Sequence, residues 1–170
     1  MRLAFAIAAS LLLAALLPAC GFQMRGTANL PFETIYLPPA GGPGIALDLR
    51  RNVRAGTNTK VVDDPKAAQA VLEFTQELRD RLILSLAATG RVREYQLRYQ
   101  VSFRVHDGKG AEFVPVSTVQ LTRDITYADS DVLSKEAEEQ LLYRDMQTDM
   151  VQLIMRRLAA ATPPKPVASQ

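Results

Sequence analysis

The stretch that decides the fold is VREYQLRYQVSFRVH, residues 92–106. Its apolar side chains occupy every second position, at Tyr95, Leu97, Tyr99, Val101, Phe103 and Val105. The positions between them carry Glu, Gln, Arg, Ser and His. This period of two predicts a β-strand with one buried and one wet face, about 50 Å long at roughly 3.3 Å per residue.

The residues that follow predict a hairpin and then a helix. Asp107-Gly108-Lys109-Gly110 is typical of a tight turn, and residues 113–127 alternate again between apolar and polar side chains. From near Ser130 or Asp131 through Ala160, apolar residues recur at spacings of three and four, which indicates a helix with one buried stripe.

Upstream of residue 92 the patterns are shorter. Residues 32–37 predict a strand, residues 45–56 a helix of about three turns, and residues 60–62 a second short strand. Residues 66–89 allow two interpretations, because their apolar side chains keep helical spacing and also fit a long irregular strand. Local propensity alone favours the helix.

The order of these elements predicts an α+β domain. We expect a two-layer sandwich, in which a mainly antiparallel sheet of about four strands carries two helices on one face. The opposite face, rich in Gln, Arg, Ser and Thr, must meet water or a polar partner. Residues 20–161 suffice for one such domain, and the Pro-rich residues 162–170 predict a disordered tail.

The N-terminus is typical of an export signal. Arg2 precedes an apolar run that ends at Leu17, which is shorter than the roughly 20 residues a membrane-spanning helix needs. Cys20 follows the small residue Ala19, at the point where such signals are cut. We therefore expect residues 1–19 to be a cleaved signal peptide and Cys20 to be the lipidated first residue of the mature chain, acylated with palmitate.

Composition excludes several classes of function. The chain has 20 Lys and Arg against 18 Asp and Glu, so bulk charge predicts no nucleic-acid partner. Its single His, His106, and its single Cys, Cys20, cannot build a Ser-His triad, a Cys-His pair or a metal-ligand cluster. The glycine-rich residues 41–44 lack the Lys-Ser/Thr of a P-loop. We expect neither catalysis nor a cofactor.

Three stretches resemble the LptE family of lipopolysaccharide-assembly lipoproteins in Gram-negative bacteria. They are CGFQMRG at residues 20–26, REYQLRYQVSF at residues 93–103 and LSKEAEEQLLYRDM at residues 133–146. The resemblance implies a sheet with two helices on one side and a strand before the Glu94-Tyr95 segment. On that ground residues 70–88 are expected to be a strand, although the leucine spacing argues for a helix.

The resemblance also implies partners and a site. LptE-like proteins lie inside the lumen of the barrel protein LptD and contact lipopolysaccharide, whose phosphates favour Arg and Lys. A basic residue of the family motif corresponds to Lys135. Ala88 stands where a second basic residue would fall, and Arg91 and Arg93 lie close by in the sequence. The implied lipopolysaccharide-binding residues are therefore Arg91, Arg93 and Lys135.

We therefore expect a non-enzymatic lipoprotein that is anchored in the outer membrane and faces the periplasm. Gly21 follows Cys20. In lipoproteins of this kind an Asp at that position would resemble an inner-membrane retention signal, so its absence favours the outer membrane. The expected function is to plug and help assemble LptD, one to one, and to help insert lipopolysaccharide into the outer leaflet. Two alternatives stay open, an accessory lipoprotein of another envelope transport system and a periplasmic hydrolase.

Overall fold

A computed structural model describes residues 29–39, 44–127 and 132–162. Within them the chain forms five strands, two α-helices and one turn of 3₁₀-helix. In chain order these are β1 (Thr34–Tyr36), α1 (Gly44–Gly56), β2 (Lys60–Val62), the 3₁₀ turn (Pro65–Ala67), β3 (Ala70–Leu86), β4 (Val92–His106), β5 (Glu112–Thr126) and α2 (Val132–Ala159).

The long hairpin predicted from the alternation is confirmed. β4 and β5 pair antiparallel from Glu94↔Thr126 to His106↔Glu112. The turn is held by Asp107, whose carboxylate accepts hydrogen bonds from the backbone N–H groups of Lys109 (2.7 Å) and Ala111 (3.0 Å). These N–H groups lower the pKa of the Asp107 carboxyl. The turn also requires a positive φ at Gly108, which glycine adopts without strain.

The segment that sequence reasoning left open is a strand. β3 pairs antiparallel with β4 from Val71↔His106 to Leu86↔Val92. A β-bulge places Thr75 between the pairs Phe74↔Phe103 and Gln76↔Ser102, so that the strand holds one residue more than its partner there. The strand expected on the strength of the family resemblance is therefore confirmed, and the helix favoured by local propensity is wrong.

The expected sheet of about four mainly antiparallel strands needs correction. The sheet has five strands in the order β2-β1-β3-β4-β5, and it is mixed, because β1 pairs parallel with both β2 and β3. The chain between β1 and β2 includes α1, and a crossover of this kind is what permits parallel pairing. Short apolar runs indicate strands but carry no signal for their direction.

One hydrophobic core fills the space between the sheet and the two helices. The odd-numbered residues of β4 are fully buried from Leu97 to Val105, so the predicted inward face is confirmed. α1 adds Ile45, Leu49 and Val53, and α2 adds Met146, Met150, Ile154 and Leu158. Both helices therefore pack on the face of the sheet that carries Tyr99 and Phe103.

Several expectations fall on residues outside the described part of the chain. These are the signal peptide at residues 1–19, the lipidated Cys20, the helix start near Ser130 or Asp131, and all of the tail except Thr162. Among the described residues, no helix is long and apolar enough to cross a membrane.

Candidate functional site

Arg91 and Arg93 lie at the end of the β3–β4 hairpin. In the connecting turn, the backbone N–H of Ala87 donates to the carbonyl of Arg91 at 2.7 Å, and Gly90 takes a positive φ of 81°. The carbonyl of Arg93 accepts from the backbone N–H of Tyr127 at 2.8 Å. The tip of this hairpin and the end of β5 therefore lie together at one end of the sheet.

Lys135 lies at the same end, in the first turns of α2. One turn later, the Glu139 carboxylate accepts a hydrogen bond from the Tyr127 hydroxyl at 2.9 Å and from Arg81 at 3.3 Å. Residues four apart project from the same helix face, so Lys135 and Glu139 point to the same side. The Lys135 ammonium donates to Glu138 at 2.8 Å. The structure thus brings the three basic residues singled out from sequence to one end of the domain.

Two arginines, Arg79 and Arg81, connect β3 to neighbouring aromatic rings and to α2. The Arg79 guanidinium lies 4.6 Å from the ring centroid of Tyr99 and 5.8 Å from that of Tyr143, and that of Arg81 lies 5.1 Å from Tyr95. Cations over aromatic faces are attracted by the ring quadrupole. These contacts let charged β3 residues lie on the helix face of the sheet without breaking the core.

Two tyrosine hydroxyls, those of Tyr99 and Tyr143, also donate hydrogen bonds to β3. The buried Tyr99 hydroxyl donates to the Glu77 carboxylate at 2.8 Å, and burial raises the pKa of the phenol above its usual range. The Tyr143 hydroxyl donates to the Asp80 backbone carbonyl at 2.7 Å. Burial also raises the pKa of Tyr143, so both phenols stay neutral donors at physiological pH. The rigid connection holds the first half of α2 against β3.

On the polar face of the sheet, side chains of neighbouring strands form ion pairs and hydrogen bonds with one another. The Arg98 guanidinium binds the Asp80 carboxylate through two hydrogen bonds, and the Arg104 guanidinium binds Glu73. Because of these arginines, the pKa values of both carboxyls are lowered. Further cross-strand hydrogen bonds join Gln96 to Asp124, Gln100 to Gln76 and Ser102 to Thr118. This face is a fixed polar surface, suited to a wet environment.

An apolar surface that was not predicted from the sequence lies at the end of the sheet that carries Arg91, Arg93 and Lys135. Leu82, Ile83, Leu84 and Leu86 of β3 are 43%, 58%, 48% and 57% exposed. The signal was present in the uncharged run LILSL at residues 82–86. Because leucine and isoleucine usually lie inside, the run alone did not indicate an exposed surface.

His106, the only imidazole, lies at the opposite end of β4. Its Nδ1 accepts from the backbone N–H of Gly108 at 3.0 Å, and its Nε2 lies 3.3 Å from a Glu73 carboxylate oxygen. Within residues 29–39, 44–127 and 132–162, no three His, Cys, Asp or Glu side chains are grouped to hold a metal ion. The contact with Gly108 ties the histidine to the β4–β5 turn.

Comparison with known proteins identifies the family. The family model for LptE, described as lipopolysaccharide-assembly, matches residues 32–158, which include every strand and nearly all of α2. The chain belongs to the LptE family. This match was expected from three short stretches of the sequence, and it is confirmed.

Relatives of this LptE-family chain agree with the assignment. It is 28% identical over 145 residues to a protein of Photorhabdus laumondii, a match that covers 82% of this chain and 76% of the relative. It is also 28% identical over 143 residues to a protein of Yersinia enterocolitica, with 82% and 68% covered. Both relatives are named LPS-assembly lipoprotein LptE.

Two solved structures share the fold of this LptE-family chain. The solution structure of an uncharacterized lipoprotein B from Nitrosomonas europaea is 39% identical, with a TM-score of 0.71, and the match covers 82% of this chain and 91% of that one. The crystal structure of rare lipoprotein B from Shewanella oneidensis is 26% identical, with a TM-score of 0.64, and 75% and 94% covered. The α+β architecture is thus that of lipoproteins with solved structures.

Proposed function

We propose that this LptE-family protein is an outer-membrane lipoprotein that plugs the barrel LptD, helps it assemble and assists lipopolysaccharide insertion into the outer leaflet. The observation that carries the proposal is the match of the lipopolysaccharide-assembly family to residues 32–158. The proposal assigns no catalysis, in keeping with relatives that are named as assembly lipoproteins rather than enzymes.

The shape and polarity of the domain support the role of a plug. β3, β4 and β5 are each 15 to 17 residues long, about 50 Å at roughly 3.3 Å per residue. Their polar face carries side chains already paired with one another, so it meets a water-lined wall at little desolvation cost. The interior of a transmembrane barrel presents inward-facing polar residues of this kind.

The anchor belongs to the same proposal. Residues 1–19 are proposed to be the cleaved signal, and Cys20 is proposed to carry the acyl chains that hold the protein on the periplasmic side of the outer membrane. Several acyl chains anchor firmly, because each buried methylene contributes about 0.8 kcal/mol. Asn29, the first described residue, lies beside Asn58. The nine peptide units from Cys20 to Asn29 span at most roughly 30 Å, so Asn29 lies within about that distance of the proposed anchor.

Arg91, Arg93 and Lys135 are proposed to bind lipopolysaccharide phosphates. The guanidinium groups offer paired donors to phosphate oxygens, and the ammonium group acts as a point charge. Lys135 already contacts Glu138, so binding of a phosphate requires this exposed helical pair to open. Exposed pairs of this kind contribute only about 0 to 1 kcal/mol, which a phosphate offsets readily.

A pull-down tests the proposed partner. The full-length lipoprotein is extracted from outer membranes in mild detergent, and the proteins that stay bound to it are identified and quantified. We expect LptD at about one copy per lipoprotein. A different envelope transporter in equimolar amount would support the alternative of an accessory lipoprotein elsewhere, and recovery without any partner would contradict the plug.

A further inference from the structure

Four exposed apolar side chains lie together at the end of β3. We define the β3 tip as Leu82, Ile83, Leu84 and Leu86, each at least 43% exposed. Of the large hydrophobic side chains exposed among the described residues, only Val116 and Leu141 lie elsewhere. Single exposed apolar side chains are ordinary, but a contiguous group indicates a surface that binds something.

The tip lies on an open edge of the sheet. β1 covers β3 only at Ala70 and Val71, and from Leu72 onwards the described strands pair with β3 on the β4 side alone. The opposite edge, β5, carries Pro115, a residue that commonly protects sheet edges. Between Arg81 and Arg91 the β3 tip has no charged residue and no proline. At this segment neither a charged side chain nor a proline therefore protects the edge.

The local geometry favours flexible apolar chains over an added strand. The pairing of β3 with β4 shifts register between Ile83 and Ser85 and again between Ser85 and Leu86. Such bulges twist an edge and interrupt the evenly spaced backbone groups that strand addition needs. Leu82 pairs with Gln96 on the polar face, whereas Ile83 pairs with Tyr95 on the helix face. A ligand that wraps both faces of one strand fits better than one that binds only along its edge.

The charges beside the tip indicate what kind of apolar ligand this is. The turn that follows Leu86 leads directly to Arg91 and Arg93, and Lys135 lies at the same end of the sheet. Two carboxylates lie among these groups, since Glu94 accepts a hydrogen bond from Ser85 and Glu138 accepts one from Lys135. The surface is thus apolar on the strand and carries cationic side chains beside the turn. It is complementary to an amphiphile whose phosphates lie next to its acyl chains.

We propose that the β3 tip binds the acyl chains of a lipopolysaccharide molecule whose phosphates pair with Arg91, Arg93 and Lys135. This inference rests on the proposed function and deepens it, because it assigns the lipid part of the ligand to named side chains. The acyl chains cover Leu82 on one face of β3 and Ile83 on the other. Binding removes from water the apolar surface that the fold leaves exposed.

Photocrosslinking in cells tests which molecule touches the tip. A photoreactive phenylalanine is placed at Ile83 or at Leu86 of the full-length lipoprotein, and at Val116 as the control. Val116 is 60% exposed and lies in the half of β5 far from the tip. We expect crosslinks to lipopolysaccharide at Ile83 and Leu86 and none at Val116. Crosslinks to LptD, to a second copy of the chain or only to phospholipid would overturn the inference.

A binding comparison separates the acyl contacts from the phosphate contacts. The full-length lipoprotein, with the proteins that remain bound to it in mild detergent, is titrated into fluorescent lipopolysaccharide or into its deacylated form. We expect the double variant Ile83→Ser with Leu86→Ser to bind intact lipopolysaccharide at least about tenfold more weakly, since burial of one such side chain suffices for that factor. Its binding to deacylated lipopolysaccharide should match that of the parent.

The outcomes distinguish this inference from the proposed function. If the double variant keeps its barrel partner but binds intact lipopolysaccharide as tightly as Val116→Ser, the tip holds no acyl chain and the plug proposal survives. Loss of the barrel from the double variant alone would make the tip a protein contact and overturn the inference. Absence of LptD from the parent itself would overturn the proposed function.

Discussion

Replacement of Phe103 by Ala tests the strand register on which the whole interpretation depends. The Phe103 side chain is fully buried, and it lies in β4, which is paired on both sides by β3 and β5. A central strand cannot move to close the space that a lost ring leaves. We therefore expect the free energy of unfolding to fall by about 3 to 5 kcal/mol, the usual range for truncation of a buried phenylalanine.

The neighbouring residue supplies the matched control. Arg104 lies on the opposite face of β4 and pairs with Glu73, and both side chains are about two-fifths exposed. Removal of an exposed ion pair changes the stability by roughly 0.2 to 1 kcal/mol. Arg104→Ala should therefore melt close to the parent.

Thermal melts followed by circular dichroism compare the two variants. We expect Phe103→Ala to melt about 10 °C below the parent, since each kcal/mol shifts a domain of this size by roughly 2 to 4 °C. Chemical denaturation measures the free energy directly. Equal losses from the two changes would mean that β4 does not present its odd-numbered side chains to the core, and the assignment of both sheet faces would fail.

Three further changes test the electrostatics, the ligand site and the anchor. Arg98 lowers the pKa of the Asp80 carboxyl below its ordinary value of 3.8. The ion pair therefore stabilises the folded state at pH values above 3.8, and this contribution is lost as the pH falls through the lowered pKa. Asp80→Asn should therefore melt below the parent near neutral pH but alike in strong acid, and a gap unchanged by acid would contradict this. The double variant Lys135→Asp with Arg91→Asp should melt like the parent yet bind lipopolysaccharide more weakly at low salt. If the double variant binds as tightly as the parent at both low and high salt, the phosphate site lies elsewhere. Cys20→Ala should leave a folded protein that fractionates as soluble in cells that lack LptD, and firm membrane association there would refute the lipid anchor.

The β4–β5 hairpin was predictable because its side chains alternate without interruption. Every odd position from Tyr95 to Val105 is apolar, and the turn at residues 107–110 carries two glycines and an aspartate. Strand, turn and return therefore reinforce one another in the sequence. The buried face of β4 followed from this pattern alone, and the structure confirms it.

β3 was not predictable from its own residues, because a bulge changes its pattern halfway. Leu72 and Phe74 face the helices from even positions, whereas after Thr75 the helix face carries the odd positions Glu77 and Arg79. A change of parity inside one strand breaks the period of two, and the remaining apolar residues then mimic helical spacing. Only the likeness to a known family gave the correct assignment.

Only part of the candidate site was predictable from the sequence. Family resemblance drew attention to Arg91, Arg93 and Lys135, and only the fold shows that they lie at one end of the sheet. The exposed leucines of the β3 tip were missed, since apolar residues in a strand are expected to lie inside. The stacking of Arg79 and Arg81 on tyrosines was missed because those contacts join residues far apart in the chain.

The bulge at Thr75 also determines where the protein can change in length. The β4 strand has no residue opposite Thr75, so deletion of Thr75 would restore a regular ladder and leave Phe74 and Glu77 on the helix face. A one-residue deletion within β4, for example at Gln100, would instead turn half of that strand over and bring arginines into the core. The fold can therefore lose a residue at Thr75, where the neighbouring strand cannot lose one.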